Sequence, residues 1–270
     1  MGVKHIIIGM TIILTTLASC QWGVPHNNTK PAITKDTLVY VYQKIEERAP
    51  DCGNKPDTAC SMAKITYPVF TAQDPINDTI VNRLLTIDRI GEKPDNDLHT
   101  QARNFIKAYL DDNQRKSNPD MVYTLESSAT VLRQDSSLAT IQIDRYLYAG
   151  GAHGSTYTGF INWNTKSGKK IGLNDLFASG YESQLTSIAE KIFRKDEKLS
   201  DTSSLKNYFF KDQKFALNDN FLVTPVGIRF LYNEYEIKPY VEGSTELLIP
   251  YAQIKSLLRP NTVISQYIKK

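Results

Sequence analysis

The sequence predicts an α+β fold in which antiparallel sheets pack against helices, and three observations lead there. Strand-like alternation fills several separate stretches, apolar residues recur at helical spacing in a few others, and the two kinds of segment are grouped rather than alternating one by one as in a βαβ chain.

Residues 1–19 read as an export signal, because Lys4 supplies a positive start and Ile6 to Leu17 form an apolar run closed by small residues. The run falls short of the roughly 20 residues a membrane-spanning helix needs. It is set aside for fold reasoning. Leu17-Ala18-Ser19-Cys20 resembles the bacterial lipobox, so the expectation is a cut before Cys20 and acylation of its thiol. The alternative is an ordinary residue near a secretory cleavage site. Each buried methylene contributes about 0.8 kcal/mol, and stable anchoring takes more than one chain. Residues 20–36 carry Pro25, Asn27, Asn28 and Pro31 with little apolar content and read as a lipidated tether reaching about 20–25 Å.

A small α+β domain is expected over 37–118. Leu38, Tyr40 and Tyr42 alternate with Val39 and Val41, and residues 63–70 form a second strand closing a hairpin. Cys52 and Cys60 lie at its tip. In an oxidising compartment such a close pair is expected to form a disulfide, worth about 2–3 kcal/mol through the entropy of the unfolded loop. With no histidine or third cysteine nearby, a metal site is not expected there. Asp74-Pro75 opens a helix whose apolar face is Ile76, Ile80, Leu84 and Ile87. A second follows Asp97 with Leu98, Ala102, Phe105, Ile106 and Tyr109, and Gly91-Glu92-Lys93-Pro94 separates the two.

A larger domain is expected over 119–270. Val122, Tyr123, Leu125, Val131 and Leu132, then Ala139, Ile141, Ile143 and Leu147, suggest long antiparallel strands. Residues 157–163 continue as a strand, and Thr165-Lys166-Ser167-Gly168 turns into 170–173. A third helix carries Leu185, Ile188, Ala189, Ile192 and Phe193. Strands over 227–237 and 245–249 precede a last helix with Ile254, Leu257 and Leu258. The formal charge of +3, less one without Lys4, comes from interspersed charges, so nucleic acid is not an expected partner.

Two stretches stand out: Tyr146-Leu147-Tyr148-Ala149-Gly150-Gly151-Ala152-His153-Gly154, and Phe230-Leu231-Tyr232-Asn233-Glu234-Tyr235-Glu236-Ile237-Lys238-Pro239-Tyr240-Val241-Glu242-Gly243. With Ile171-Gly172-Leu173-Asn174-Asp175-Leu176-Phe177 and Ile249-Pro250-Tyr251, they resemble the extracytoplasmic domain of RsiV-type anti-sigma factors over about 121–258. Ile65-Thr66-Tyr67-Pro68-Val69-Phe70 and Ile76-Asn77 are similar to the small domain preceding it, a pair also found ahead of PdaC-type peptidoglycan deacetylases. The resemblance implies cell-wall surroundings, and with the lipobox the expectation is a stand-alone lipoprotein of the cell envelope, facing the periplasm or the cell exterior and anchored to the membrane by lipid at Cys20. It implies a non-enzymatic binding or sensing module for peptidoglycan or for an envelope protein such as lysozyme. The alternative is a peptidoglycan-directed hydrolase or deacetylase.

The chemistry-bearing residues are few. Of four histidines, His5 and His26 lie in the signal and tether, leaving His99 and His153, too few for a histidine-rich metal site without carboxylates. Neither a His-Glu-x-x-His helix nor a Gly-x-Ser-x-Gly elbow occurs. Gly150 and Gly151 suit a bulge or sharp turn, with His153 either bonding across it or meeting a ligand. Glu234 and Glu236, two apart on the expected strand, would share a face with Tyr232. Side by side on one strand, they suit binding better than flanking a scissile bond. The tyrosines around these motifs, Tyr146, Tyr148, Tyr157, Tyr232, Tyr235, Tyr240 and Tyr251, offer contact area or sheet packing. The binding candidates are Tyr148, His153, Tyr232, Glu234, Glu236 and Tyr240; no catalytic residue, metal or cofactor is expected. Asp36-Thr37-Leu38, Asp57-Thr58-Ala59 and Asp78-Thr79-Ile80 also resemble acceptor sites for bacterial O-glycosylation.

Overall fold

A computed structural model describes residues 37–87, 93–115 and 121–268, the last two of α2 by backbone alone. The export signal, Cys20 and the tether lie outside the described residues, as do Gly91 and Glu92 of the expected breaker. The described residues form one compact unit. Its elements are β1 (Tyr40–Arg48), β2 (Met62–Phe70), α1 (Asp74–Thr86), α2 (Leu98–Arg115), β3 (Thr124–Asp135), β4 (Leu138–Tyr148), β5 (Ser155–Asn164) and β6 (Lys169–Lys170). There follow α3 (Leu173–Leu176), α4 (Glu182–Asp196), β7 (Phe221–Val223), β8 (Gly227–Tyr232), β9 (Thr245–Pro250) and α5 (Tyr251–Ile254). The α+β class is as expected.

Strands β1 to β6 form one sheet in sequence order, and β7 to β9 a second, antiparallel one. The first sheet departs from the purely antiparallel expectation at a single junction, since β2 and β3 run parallel from Met62↔Thr124 to Thr66↔Ser128. The expected domain boundary at 118/119 falls between α2 and β3, and strands from both sides of it pair in this sheet. Sequence chemistry explains why the parallel ladder stops. Met62 donates its N–H to the Tyr123 carbonyl, so the even-numbered residues of β2 face β3. Residue 68 would be the next to donate after Thr66 closes the ladder, and it is a proline with no N–H. Val131 of β3 instead donates to the Tyr42 hydroxyl at 3.3 Å.

The hairpin of β1 and β2 forms as expected, and Cys52 and Cys60 close its tip as a disulfide. The bridge packs with Tyr109 and Tyr123 in a small apolar cluster. Helix α1 starts at Asp74-Pro75 and buries Ile76, Ile80, Leu84 and Leu85. The Asn77 side chain accepts from Phe70 N–H and donates to the Phe70 carbonyl, tying that helix to the end of β2. Asp97 caps the next helix by accepting from Thr100 N–H at 2.8 Å. Both helices cover one face of the first sheet, over Ile65, Leu125, Ile141 and Ile143. The second sheet packs its own core, Phe230, Tyr232, Leu247 and Ile249, against Phe193 of α4 and Phe177.

Two expectations are corrected. The strand expected over 227–237 ends at Tyr232, because Asn233 to Glu236 form a turn: Asn233 N–H donates to Glu236 Oε2 at 2.8 Å, Glu236 N–H to the Asn233 carbonyl, and Tyr235 takes φ +63. A left-handed residue cannot continue a strand. The last helix is likewise one short turn followed by a 3-10 turn at Lys255–Leu257.

Candidate functional site

The two family-like motifs lie some eighty residues apart in the chain, yet their loops meet in space. The first bridges β4 and β5. Gly150 and Gly151 take φ +87 and +103, conformations that a side chain would strain, and Tyr148 donates its hydroxyl to the Gly151 carbonyl at 3.2 Å. A Cβ on Gly154 would stand 2.5 Å from the Tyr146 ring, so only glycine lets that tyrosine lie against the backbone. The second motif is the turn after β8 and the 3-10 turn at Tyr240–Glu242.

Between these loops His153, Tyr235 and Tyr240 form an aromatic crest. The His153 and Tyr240 rings stack at 3.9 Å between centroids with 16° between planes; Tyr235 stacks on both at 5.6 and 6.3 Å. The hydrogen bonds fix the imidazole tautomer. Nδ1 lies 2.8 Å from the Gly154 carbonyl, which can only accept, so Nδ1 carries the proton and Nε2 accepts from the Tyr235 hydroxyl at 3.4 Å. Tyr235 is 56% exposed and is the one aromatic residue among the described residues with positive φ. Left-handed backbone at a non-glycine residue costs about 1–3 kcal/mol. An exposed ring gains little core packing to offset that.

A groove of about 460 Å³ adjoins the crest on the sheet face opposite the helices, lined by Lys64, Glu126, Ser128, Asp144, Tyr146 and Thr156. Alternation along the strands puts these polar residues on one side and Ile65, Leu125 and Ile143 on the other. Tyr146 also touches Gly154, and Thr156 N–H points at Glu234 Oε2 at 3.4 Å, so groove and crest share a wall. Asp144 accepts from Thr158 Oγ1 and from Gln142 Nε2, which holds its carboxylate in place. Among the described residues no group of three or more His, Cys, Asp or Glu side chains is arranged to hold a metal ion, and no helix is long and apolar enough to cross a membrane.

Of the expected binding residues, His153 and Tyr240 are at the crest, Glu234 borders it, and Tyr148 braces the glycine loop behind it. Glu236 does not share a strand face with Glu234. Its carboxylate takes Asn233 N–H and Asn218 Nδ2, bracing the turn, beside a cleft that Arg83 and Asn82 also line. Tyr232 is corrected outright: it is 1% exposed, its hydroxyl donates to the Ala216 carbonyl at 2.7 Å, and burial pushes its pKa up. A ring held inside the core meets no ligand. Tyr235, grouped in the sequence with the other tyrosines, belongs at the centre of the site. Its signal is weak, since a positive φ at tyrosine leaves no trace in composition.

Comparison with known proteins agrees with this architecture. Residues 54–156 match the family described as deacetylase PdaC, and residues 174–252 match the family described as protein of unknown function DUF3298. The first match takes in the glycine motif, the second the turn carrying Tyr235 and Tyr240. No curated protein matches the chain. A crystal structure of a DUF3298 family protein from Pseudomonas aeruginosa superposes with a TM-score of 0.67 at 23% identity, covering 84% of this chain and 96% of that one. Another from Bacteroides fragilis gives 0.67 at 26% identity, covering 87% and 98%. This chain therefore carries a DUF3298/PdaC-like domain, with the PdaC-like part leading into the DUF3298-like part.

Proposed function

We propose that this chain is an extracytoplasmic binding module, held to a membrane by lipid on Cys20, whose aromatic crest takes a cell-wall glycan. The observation that carries the reading is Tyr235, an exposed ring kept in a left-handed backbone and stacked with His153 and Tyr240. Strain retained at a surface position is expected where it aims a side chain at a ligand. Stacked rings give a rigid platform for the apolar face of a sugar, and the neighbouring groove of hydroxyls and carboxylates suits sugar hydroxyls. The crest stands beside the loop that joins β4 to β5.

Calorimetry with solubilised peptidoglycan fragments tests the reading. Saturable binding is expected, weakened about tenfold by Tyr235→Ala or Tyr240→Ala and unchanged by Val226→Ala, an exposed residue at the opposite end of β8. Binding of a lysozyme-like protein in place of every glycan would move the ligand to protein, and release of new reducing ends or of acetate would replace binding by catalysis. Labelling with a fatty-acid analogue checks the anchor: the intact chain should be marked and Cys20→Ala should not.

A further inference from the structure

The first sheet ends in two unlike edges, β1 on one side and, before the two residues that β6 covers, β5 on the other. On β5 the outward N–H groups of Thr156, Thr158 and Phe160 are taken by the side chains of Glu234, Asn233 and Asn220. On β1 the odd residues face β2, since the Val39 carbonyl accepts from Thr71 and Ala49 N–H donates to Ser61. The backbone groups of Tyr42, Lys44 and Glu46 therefore face outward, and no strand among the described residues pairs with them. This edge is nine residues long, keeps an unbroken register with β2, and has no proline, glycine or bulge. It also carries exposed apolar area, with Val39, Val41 and Tyr42 exposed by 70%, 58% and 48%. Long edges with these features pair with another strand.

The charges along the edge select the occupant. An antiparallel neighbour must set outward residues opposite outward residues, so a second copy of β1 has only a few registers open to it. A twofold axis through Lys44 would set lysine against lysine. Through Gln43, it sets Tyr42 against Lys44 and Tyr40 against Glu46, and pairs no charges. Through Ile45, Lys44 of each copy lies opposite Glu46 of the other, and Tyr42 opposite Arg48. Lys44 and Glu46 already pair within one chain, so the four charges would close an alternating ring around the axis.

The geometry points to a dimer in which β1 adds antiparallel to β1 of a second copy about a twofold axis at Ile45, joining the two six-stranded sheets into one. The interface uses strand addition, in which backbone bonds supply affinity and side-chain register supplies specificity.

Charge variants of the full chain in mild detergent test this, with sedimentation velocity as the readout and circular dichroism checking that each variant folds. The natural chain should dimerise. Lys44→Glu and Glu46→Lys should each weaken dimerisation by about tenfold or more, since each sets like charges opposite one another twice. Mixing the two variants should restore it, because every facing pair is then opposite in charge. A role confined to one chain cannot be rescued by mixing. A natural chain that stays monomeric, single variants that dimerise as well as the natural chain, or a mixture that stays apart would each overturn the proposal.

Discussion

One sheet shows two ways of treating a free edge. At β5 the second sheet supplies amide side chains that stand in for a neighbouring strand: Asn233 and Asn220 pair with Thr158 and Phe160, and Asn162 reaches back to pair with Phe221 and Val223 of β7. At β1 the Gln134 side chain takes the N–H and carbonyl of Leu38 just ahead of the strand, while no strand among the described residues pairs with the outward groups of Tyr42, Lys44 and Glu46. The difference teaches that the second sheet docks edge-on through asparagines as well as through its own core, so β5, most of which lies between the two matched stretches, is fastened to that sheet by specific hydrogen bonds. The open edge is left where a partner strand can reach it.

The sealed side breaks most severely at Asn162. Its amide donates to the Phe221 carbonyl and accepts from Val223 N–H, both at 2.8 Å, in a buried setting. Asn162→Ala leaves both backbone groups unpaired, each at about 1–3 kcal/mol, so a loss of roughly 2–6 kcal/mol is expected in urea unfolding. A loss within the scatter of surface substitutions would mean that the core alone docks the second sheet.

The open side is sharpened by a pair of prolines. Gln43→Pro removes a donor facing β2 and should cost about 3 kcal/mol, whereas Lys44→Pro removes one facing outward and should cost the monomer far less. Equal losses for the two would mean that the outward groups of β1 already have a partner within the chain. Asn233→Ala follows in size. Two bonds to Thr158 are lost in a half-buried place, and about 1–2 kcal/mol is expected, with faster amide exchange confined to the β5 edge.

Much of this was legible because it is local. The hairpin, its disulfide and α1, α2 and α4 follow from alternation, helical spacing, Asp74-Pro75 and the two cysteines, all within a dozen or so residues. The parallel junction of β2 with β3 is not local, and only the missing N–H of Pro68 hints at where it must stop. Residues 230–237 alternate like a strand, yet the backbone turns at Asn233, because Glu236 folds back on the Asn233 N–H instead of leaving Asn233 to pair as a seventh strand residue. That same turn removes Glu236 from the expected carboxylate pair and brings Tyr235 out to His153. Tyr232 reads as a surface ring until the helix over it is known, since an alternating tyrosine faces whichever side is covered. Asn220 and Asn233 look like loop polarity in sequence, and Asn162 like one more polar residue of a strand; their pairing across the two sheets spans about sixty residues or more of chain.

The smallest expected effect separates the edges by pH. The tip of the β1 hairpin is held by charge: Asp57 bonds Lys64 at 2.9 Å and pairs with Arg48, and these partners, the Lys64 hydrogen bond first, hold its carboxyl below its ordinary range. A lowered folded pKa contributes stability that is present above the unfolded value near about 4 and is lost as pH falls through the folded one. The β5 edge, by contrast, is sealed chiefly by asparagine amides that do not titrate. Amide exchange corrected for its intrinsic rate should therefore rise at residues 48–62 as the solution is acidified through the carboxylate range, while residues 158–162 stay protected. In Asp57→Asn the acid-dependent rise should vanish. If both edges loosened together in acid, the hairpin tip would owe its order to the disulfide and the small apolar cluster around it, and the ion pairs would be incidental to it.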